Sequence, residues 1–564
     1  MIHKQQKIFL MPRNLFNSVQ LPKVVKATHN MSYRNLISCN HGFGIPFYGE
    51  DCLPSDVWKC NSNMFVRLSP LALPCYASLE VFATYFKVPR RLIEPTFDYF
   101  ITGGRNGQAV VSSTCITLKE YVTEAKKPAG TLVTGPGSLA DFLGYPADAG
   151  IRDVVDIAED ENIPIDLYRV YAYQMVMDDY FTDENLSDPY ITINNDGTRK
   201  TLKEFIDDGT WPSLFAIRKV CYRKDSFLSS ALPFAQRGPA VSVGVDTSAF
   251  EVSVDSGVTS IGGEDQEFDL SYYQANGQNF GYIRTAGIDS PVSAVNSPAT
   301  LTGSASPGSD GFSFGLEDLR KAVKLQRFFE TNARGGSRLI EQCLAHFGVR
   351  PKDGRVQRPE MVGGGKFEIQ ISEVLQTSKT DGTSALGSYA GRGIANSSAP
   401  FGKTFCDEHC YIIGIMCIRP RLTLFEGLSR HLQRSDRFDY AFPEFEGLGE
   451  QEIKVSEVNI FSPETLDHES QLGETFGFAP RYHEYKSHPS EIHGKFRTDL
   501  RAWHMGRTFG NSKPVLNDSF MYIPQDYSIF AVTDPTVEHY YFCIDSRVWM
   551  NRPLHKYSTP SGLV

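Results

Sequence analysis

A mainly β fold carrying long loop insertions is what this sequence predicts, on three observations. From residue 44 onward, short apolar runs of strand length recur between turn residues. Glycine and proline number 47 and 32 among 564 residues, so the chain turns often. Two stretches then break the pattern, one acidic and rich in Gly and Ser, the next helical. The length alone admits several domains, yet one sandwich with long loops uses as much chain. A composition 41% hydrophobic and 22% charged is globular and supports a large core.

Taken in order, residues 1–40 are polar and basic with little periodicity, and read as an extended arm. "GIPFYGEDCLPSDVWKC" (44–60) opens the alternating region. "LEVFATYFKVP" (79–89) sets Val81, Ala83, Tyr85 and Val88 against Phe82, Thr84 and Phe86, which predicts a buried strand ending at Pro89. "GPGSLADFLGYP" (135–146) predicts a short helix, with Ser138 and Asp141 as a capping box and Gly144 and Pro146 as its stop. "IPIDLYRVYAYQMVMDDYF" (163–181) has Leu167, Val170, Tyr171 and Met175 at helical spacing, with Pro164 near the start.

Residues 245–314 hold no Lys and no Cys, but "FEVSVDSGVTSI" and "NFGYIRTAGI" still alternate. They predict a loop-like insertion with strands of its own, and loops this long usually carry a function. In "GLEDLRKAVKLQRFFETNA" (315–333), Leu316, Leu319, Val323 and Phe329 follow one helical face. After Gly335-Gly336, Leu339, Ile340, Cys343, Leu344 and Phe347 repeat the pattern. No strand precedes this Gly-Gly turn and no Lys-Ser/Thr pair follows it, so it reads as a joint between helices and not as an anion cradle. "KFEIQISEVLQ" (366–376) and residues 405–424 read as strands.

Charge is distributed unevenly. Residues 1–49 carry Lys4, Lys7, Arg13, Lys23, Lys26 and Arg34 and no acid. Residues 546–564 carry Arg547, Arg552 and Lys556 and no acid. Residues 245–314 set nine acids against Arg284, which accounts for most of the net charge of −10. The termini and this segment are therefore expected to meet different surroundings. No run approaches the ~20 apolar residues needed to span a bilayer, and the N-terminus shows no apolar core followed by a cleavage site. The 11 cysteines form no CxxC pair and read as free thiols of a reducing compartment.

The motifs that resemble catalytic or ligand sites fail on context. "GPGSLA" (135–140) matches the weak dinucleotide fingerprint, but its helix is too short for a cofactor. "SSAPFGKT" (397–404) lacks the first phosphate-loop glycine and leads into a strand. In "HEYKSH" (483–488) the two histidines are five residues apart, about 140° around a helix, and share no face. Cys406, His409 and Cys410 sit close enough to touch one metal, but no fourth ligand stands at finger-like spacing, so buried thiols are the better reading. Glu264, Asp265, Glu267 and Asp269 lack the calcium-loop pattern and read as a solvated acidic loop. No catalytic residue, metal site or cofactor is predicted.

Beside this stands a resemblance that spans most of the chain. "FVRLSPLALPCYASLEVFATYFKVPRRLI" (65–93), "RKDSFLSSALPFAQRGPAV" (223–241), "LQRFFETNARGGSRLIEQCLAHFGVRPKDGRVQRPEMVGGG" (325–365), "HCYIIGIMCIRPRLTLFEGLSR" (409–430), "RFDYAFPEFEGLGEQEI" (437–453) and "FGFAPRYHEYKSHPSEIHGKFR" (476–497) follow in the order and spacing of one family. The chain resembles the major capsid proteins of microviruses, of the gokushovirus-like kind. Residues 245–314 match nothing in the family, which tolerates variation there, and the N-terminal arm matches loosely.

The resemblance implies a viral eight-stranded antiparallel jelly roll with long loop and helical insertions. It implies self-assembly into a T=1 icosahedral shell around circular single-stranded DNA, in the virion of a bacteriophage assembled in its host's cytoplasm. The expected organisation is a basic interior arm (1–40), a first part of the core (41–244), a variable acidic insertion suited to threefold protrusions (245–314), a helical insertion with the remaining strands (315–545) and a basic tail (546–564). Lys4, Lys7, Arg13, Lys23, Lys26, Arg34, Arg547, Arg552 and Lys556 are the expected DNA contacts, with Phe9, Phe16 and Tyr33 between bases. Asp246, Glu251, Glu264, Asp265, Glu267, Asp269, Tyr272 and Tyr273 are expected to face a host surface receptor. Minor capsid or scaffolding proteins are further expected partners, and no membrane is. The competing classes are a carbohydrate-active enzyme or a lectin-like adhesin on a β sandwich; both predict a monomer or small oligomer.

Overall fold

The structure, a computed structural model, describes residues 25–102, 114–127, 132–147, 163–238, 268–275, 278–285, 316–335, 357–375, 389–460 and 471–557. The chain divides into two compact units, residues 236–337 and the remainder. The strands, in chain order, are β1 (Ala27–Asn30), β2 (Tyr33–Cys39), β3 (Ile45–Cys52), β4 (Val57–Leu68), β5 (Leu79–Pro89), β6 (Cys115–Thr117), β7 (Pro164–Asp166), β8 (Phe268–Ala275), β9 (Gln278–Thr285), β10 (Glu360–Glu368), β11 (Gln370–Leu375), β12 (Tyr389–Ser397), β13 (Phe401–Phe405), β14 (Cys410–Pro420), β15 (Glu450–Lys454), β16 (Thr475–Pro480) and β17 (Tyr540–Arg552).

Eleven of them form one antiparallel sheet in the order β1-β17-β4-β13-β10-β5-β14-β3, with β2 also on β17 and β12, carrying β11, on β4. Tyr540 and Ile544 of β17 share one apolar core with Ile45 and Phe47 of β3, from the other end of that order. The sheet therefore curls on itself, giving the antiparallel jelly roll with helical insertions.

Alternation builds the interior. On β4, Trp58, Cys60, Ser62, Met64, Val66 and Leu68 point inward; on β17, Tyr540, Phe542, Ile544, Ser546, Val548 and Met550 do the same. The polar atoms that Trp58, Ser62 and Ser546 carry inside are paired. Trp58 Nε1 donates to the Tyr48 hydroxyl at 2.8 Å. Ser62 Oγ lies 2.6 Å from the Tyr85 hydroxyl and 2.9 Å from Ser546 Oγ, which ties β4, β5 and β17 together.

β5 and β14 are covered on both faces, which explains why "YIIGIMCI" reads as an unbroken apolar run. Ile412, Met416 and Ile418 face the interior, while Tyr411, Ile413, Ile415 and Cys417 belong to a second core. That second core centres on the helix Tyr168–Tyr180, which is buried on nearly every side. Its one interior amide, Gln174, donates to the carbonyls of Leu214 at 2.5 Å and Ala216 at 3.0 Å, and accepts from Arg218 Nε at 2.7 Å. A third core lies around the β15–β16 hairpin, with Leu228, Ile453, Val455, Phe476 and Phe520.

Several local expectations shift. The helix starts at Tyr168 and not beside Pro164, because Pro164–Asp166 pairs with β6. Residues 27–39 are built into the sheet as β1 and β2 on β17, although their sequence is polar. Ser138 Oγ accepts from Asp141 N at 3.3 Å, but the Asp141 carboxylate turns to Gly137 N at 3.0 Å, so the capping box closes on one side only. The strand expected over 366–376 is divided at Ile369 into β10 and β11. In the smaller unit, β8 and β9 pair as a hairpin inside the acidic insertion, and the helix Leu316–Gly335 follows. The second helix expected after Gly336 lies outside the described residues.

Candidate functional site

The curled sheet has an outside as well as an interior. Where β17, β4 and β13 lie side by side, that outer face is open. The residues alternating with the core on β4 are Lys59, Asn61, Asn63, Phe65 and Arg67. On β17 they are Tyr541, Cys543, Asp545, Arg547 and Trp549; on β13, Phe401, Lys403 and Phe405. Register places these side chains in rows across the strands. Trp549, Lys59 and Lys403 form one row, and Arg547, Asn61 and Phe401 the next. Tyr541 stands opposite Arg67.

The outer positions of β17, β4 and β13 therefore hold Lys59, Arg67, Lys403 and Arg547 against one carboxylate, Asp545. Asp545 is already engaged: Arg34 Nε of β2 donates to it at 2.6 Å, and that hydrogen bond holds its carboxyl below the usual carboxylate range. Aromatic faces lie among the bases. Phe405 is 53% exposed, Phe401 45%, Tyr541 44% and Trp549 40%. Lys59 Nζ sits 5.9 Å from the Phe401 ring centroid and Lys26 Nζ 5.9 Å from that of Phe405. Exposed aromatics beside cations suit a ligand that is both anionic and flat-faced.

The bases expected from the sequence divide into distinct environments. Arg547 lies in the open on this face, and Lys556 is exposed beyond the last strand. Lys26 is at the edge of the face and donates to the Ser55 carbonyl at 2.9 Å. Arg552 is instead a structural base, half-buried 3.1 Å from Asp56 Oδ2 and 3.4 Å from Glu50 Oε1. The Tyr33 ring stacks on Tyr48, 6.1 Å between centroids. Lys4, Lys7, Arg13, Lys23, Phe9 and Phe16 lie outside the described residues, as do Asp246, Glu251, Glu264, Asp265 and Glu267. Asp269, Tyr272 and Tyr273 fall on β8 of the hairpin. Sequence reading missed Lys59, Arg67 and Lys403. The signal for Lys59 and Arg67 was the strict period of two in "VWKCNSNMFVRL".

The rejected motifs resolve into ordinary structure. Residues 397–404 run from the end of β12 into β13. His483 is buried and His488 exposed. Of the Cys406, His409 and Cys410 set, the His409 ring packs edge-on to Phe97, 5.7 Å between centroids, and Cys52 takes its place beside the two thiols.

Residues 17–561 match the family described as Capsid protein (F protein). This chain belongs to that capsid protein family. Its relatives include Capsid protein VP1 of Chlamydia phage 1, 28% identical over 99% of each chain, and Capsid protein VP1 of Bdellovibrio phage phiMH2K, 28% identical over 90% of each. Capsid protein VP1 of Spiroplasma virus 4 is 26% identical over 84% of each. The resemblance to microvirus major capsid proteins thus holds over the whole fold, and the molecule is a structural component of a virion. Among the described residues, no helix of this capsid protein is long and apolar enough to cross a membrane.

Proposed function

We propose that this capsid protein closes into a T=1 icosahedral shell around circular single-stranded DNA in its bacterial host, and that the open face of β17, β4 and β13 is turned to the genome. The observation that carries the reading is the set Lys59, Arg67, Lys403 and Arg547 interleaved with Phe401, Phe405, Tyr541 and Trp549 on one rigid sheet. Cations that neutralise phosphates release condensed counterions, and aromatic faces stack bases whatever their sequence. A packaging protein needs such sequence-independent contact. The acid-free arm, with Lys4, Lys7, Arg13 and Lys23, adds to the same interaction. Arg34 and Arg552, already paired to carboxylates, support the sheet that presents it.

The acidic, Lys-free insertion is suited to the opposite task. Its charge repels DNA, and clustering around a symmetry axis multiplies weak contacts with a host receptor. Scaffolding or minor capsid proteins belong to the same assembly reading. Closed symmetry repeats each lateral contact, and obligate interfaces of this kind bury more than ~2,000 Å². An enzyme or adhesin on this sandwich would act as a monomer or small oligomer.

The test is binding of a fluorescent single-stranded oligonucleotide to the full-length chain. The double variant Arg67→Glu, Lys403→Glu is expected to weaken binding at least about tenfold, since like charges replace two phosphate contacts. A charge reversal at Lys513, away from the face, is expected to change nothing. Equal affinity in all three proteins would remove this face from the account.

A further inference from the structure

Two neighbouring cysteines, Cys406 and Cys410, meet a third from far away in the sequence, Cys52, inside the barrel wall. Cys52 ends β3, Cys410 begins β14, and Cys406 lies between β13 and β14. Cys52 and Cys410 are register partners across the two strands. All three are buried, at 3%, 2% and 0% exposure, and their sulfurs lie within 4.8 Å of one another. The backbone holds Cys406 in place. Its N–H donates to the Asp56 carbonyl at 2.9 Å, and its own carbonyl accepts from Ser55 N at 2.6 Å.

A buried cysteine by itself behaves as a small apolar residue, and Cys39, free and buried in the core, is one such here. Three converging sulfurs differ in kind. With metal–sulfur bonds of about 2.3 Å, the sulfurs of a thiolate site stand about 4 Å apart, the separation this cluster already approaches. The donor set is entirely sulfur, which favours soft d10 cations over calcium or magnesium. A cationic group is also at hand: Lys87, buried between Glu360 at 2.8 Å and Asp407 at 3.8 Å, acts electrostatically on the Cys406 and Cys410 thiols.

We propose that Cys52, Cys406 and Cys410 form a trithiolate site for one thiophilic cation, zinc(II) in the cell, which clips the β13–β14 connection to the end of β3. On binding, each thiol releases one proton to solvent and forms one sulfur–metal bond, with no change of oxidation state. The site gives the sheet a crosslink where three strands end. Such a crosslink is compatible with a reducing cytosol, where a disulfide is not.

The experiment uses the full-length chain purified under a non-chelating reductant, with elemental analysis and a cadmium titration followed by the sulfur-to-cadmium charge-transfer band. The expected result is about one metal per chain in the wild type and in Cys543→Ser. Cys406→Ser and Cys52→Ser are expected to bind more than about tenfold more weakly. The wild-type stoichiometry and band need no variant, so a misfolded Cys406→Ser leaves the test intact. A wild-type chain without metal or band would overturn the proposal, as would a Cys52–Cys410 disulfide mapped in protein kept reduced.

Discussion

Arg552 Nε donates to Asp56 Oδ2 at 3.1 Å, and this pair fastens the last residue of β17 to the turn that opens β4. Asp56 is fully buried and also accepts from Leu53 N at 2.9 Å. Arg552 is thereby distinguished from Arg547, five residues earlier on the same strand and open on the outer face. Asp56→Ala is expected to destabilise the fold by about 3 kcal/mol, because a half-buried guanidinium loses its buried partner. Arg547→Ala is expected to leave stability within about 0.5 kcal/mol while weakening single-stranded DNA binding. Denaturant melts and oligonucleotide titrations on the two variants check the separation. Equal loss of stability in both would contradict it.

The outer face makes a quantitative claim about salt. Each phosphate neutralised on a single strand contributes about 0.7 to the slope of log affinity against log salt. Lys403→Ala is expected to lower that slope by about this amount. Trp549→Ala is expected to weaken binding by about 1–3 kcal/mol without changing the slope, since stacking releases no counterion. Titrations at several salt concentrations distinguish the two contributions.

A pH dependence follows from His41, which is fully buried with its ring edge-on to those of Tyr527 and Tyr540 and its Nε2 3.2 Å from the Pro524 carbonyl. Burial pushes its pKa down from 6.5 to about 4, with His539 adding in the same direction and Asp526 opposing. In the unfolded chain the imidazole takes up a proton near pH 6.5; in the fold it stays neutral. The unfolded state therefore binds more protons between pH 6.5 and about 4, and stability falls as pH falls through that window. The loss from this group is on the order of 3 kcal/mol at the acid end. His41→Gln, which keeps a donor for Pro524 and does not titrate, is expected to flatten this part of the stability curve. Thermal melts of both proteins from pH 7 to 4 decide it.

Gly402 of β13 faces inward, and a Cβ there would stand 2.6 Å from the Trp58 ring. Trp58 is held by its hydrogen bond to Tyr48 and has no room to retreat. Gly402→Ala is expected to cost about 1–3 kcal/mol by overpacking, read as a lower midpoint in denaturant melts. An unchanged midpoint would mean that the interior around Trp58 is looser than the structure shows.

Such glycines also show where the sequence was legible. β5 and β14 announce themselves as unbroken apolar runs because both of their faces are covered. β10 does not, since Gly363, Gly364 and Gly365 weaken any strand signal. They are needed there because a Cβ on Gly363 would meet the Phe401 carbonyl at 2.2 Å, and one on Gly365 the Ala399 carbonyl at 2.4 Å. β1 and β2 were hidden for a different reason: they lie at the sheet edge, and their outward residues, Arg34 and Leu36, carry no apolar alternation.

The candidate face was only half readable. Arg547 stood out in an acid-free tail, but its neighbours Asn61 and Phe401 are brought to it only by antiparallel register. The sulfur cluster follows the same rule. Local spacing offered His409 as the third partner of Cys406 and Cys410, whereas the fold supplies Cys52 from the neighbouring strand. Long-range pairing of this kind leaves no trace in a window of sequence.

The most direct test of the whole account is to isolate particles from cells expressing the full-length chain and image them by electron microscopy, with nuclease-protected nucleic acid measured on the same fractions. The account predicts closed shells of one diameter, made mainly of this chain and enclosing single-stranded DNA. A chain recovered only as a monomer or small oligomer, with no protected DNA, would contradict it.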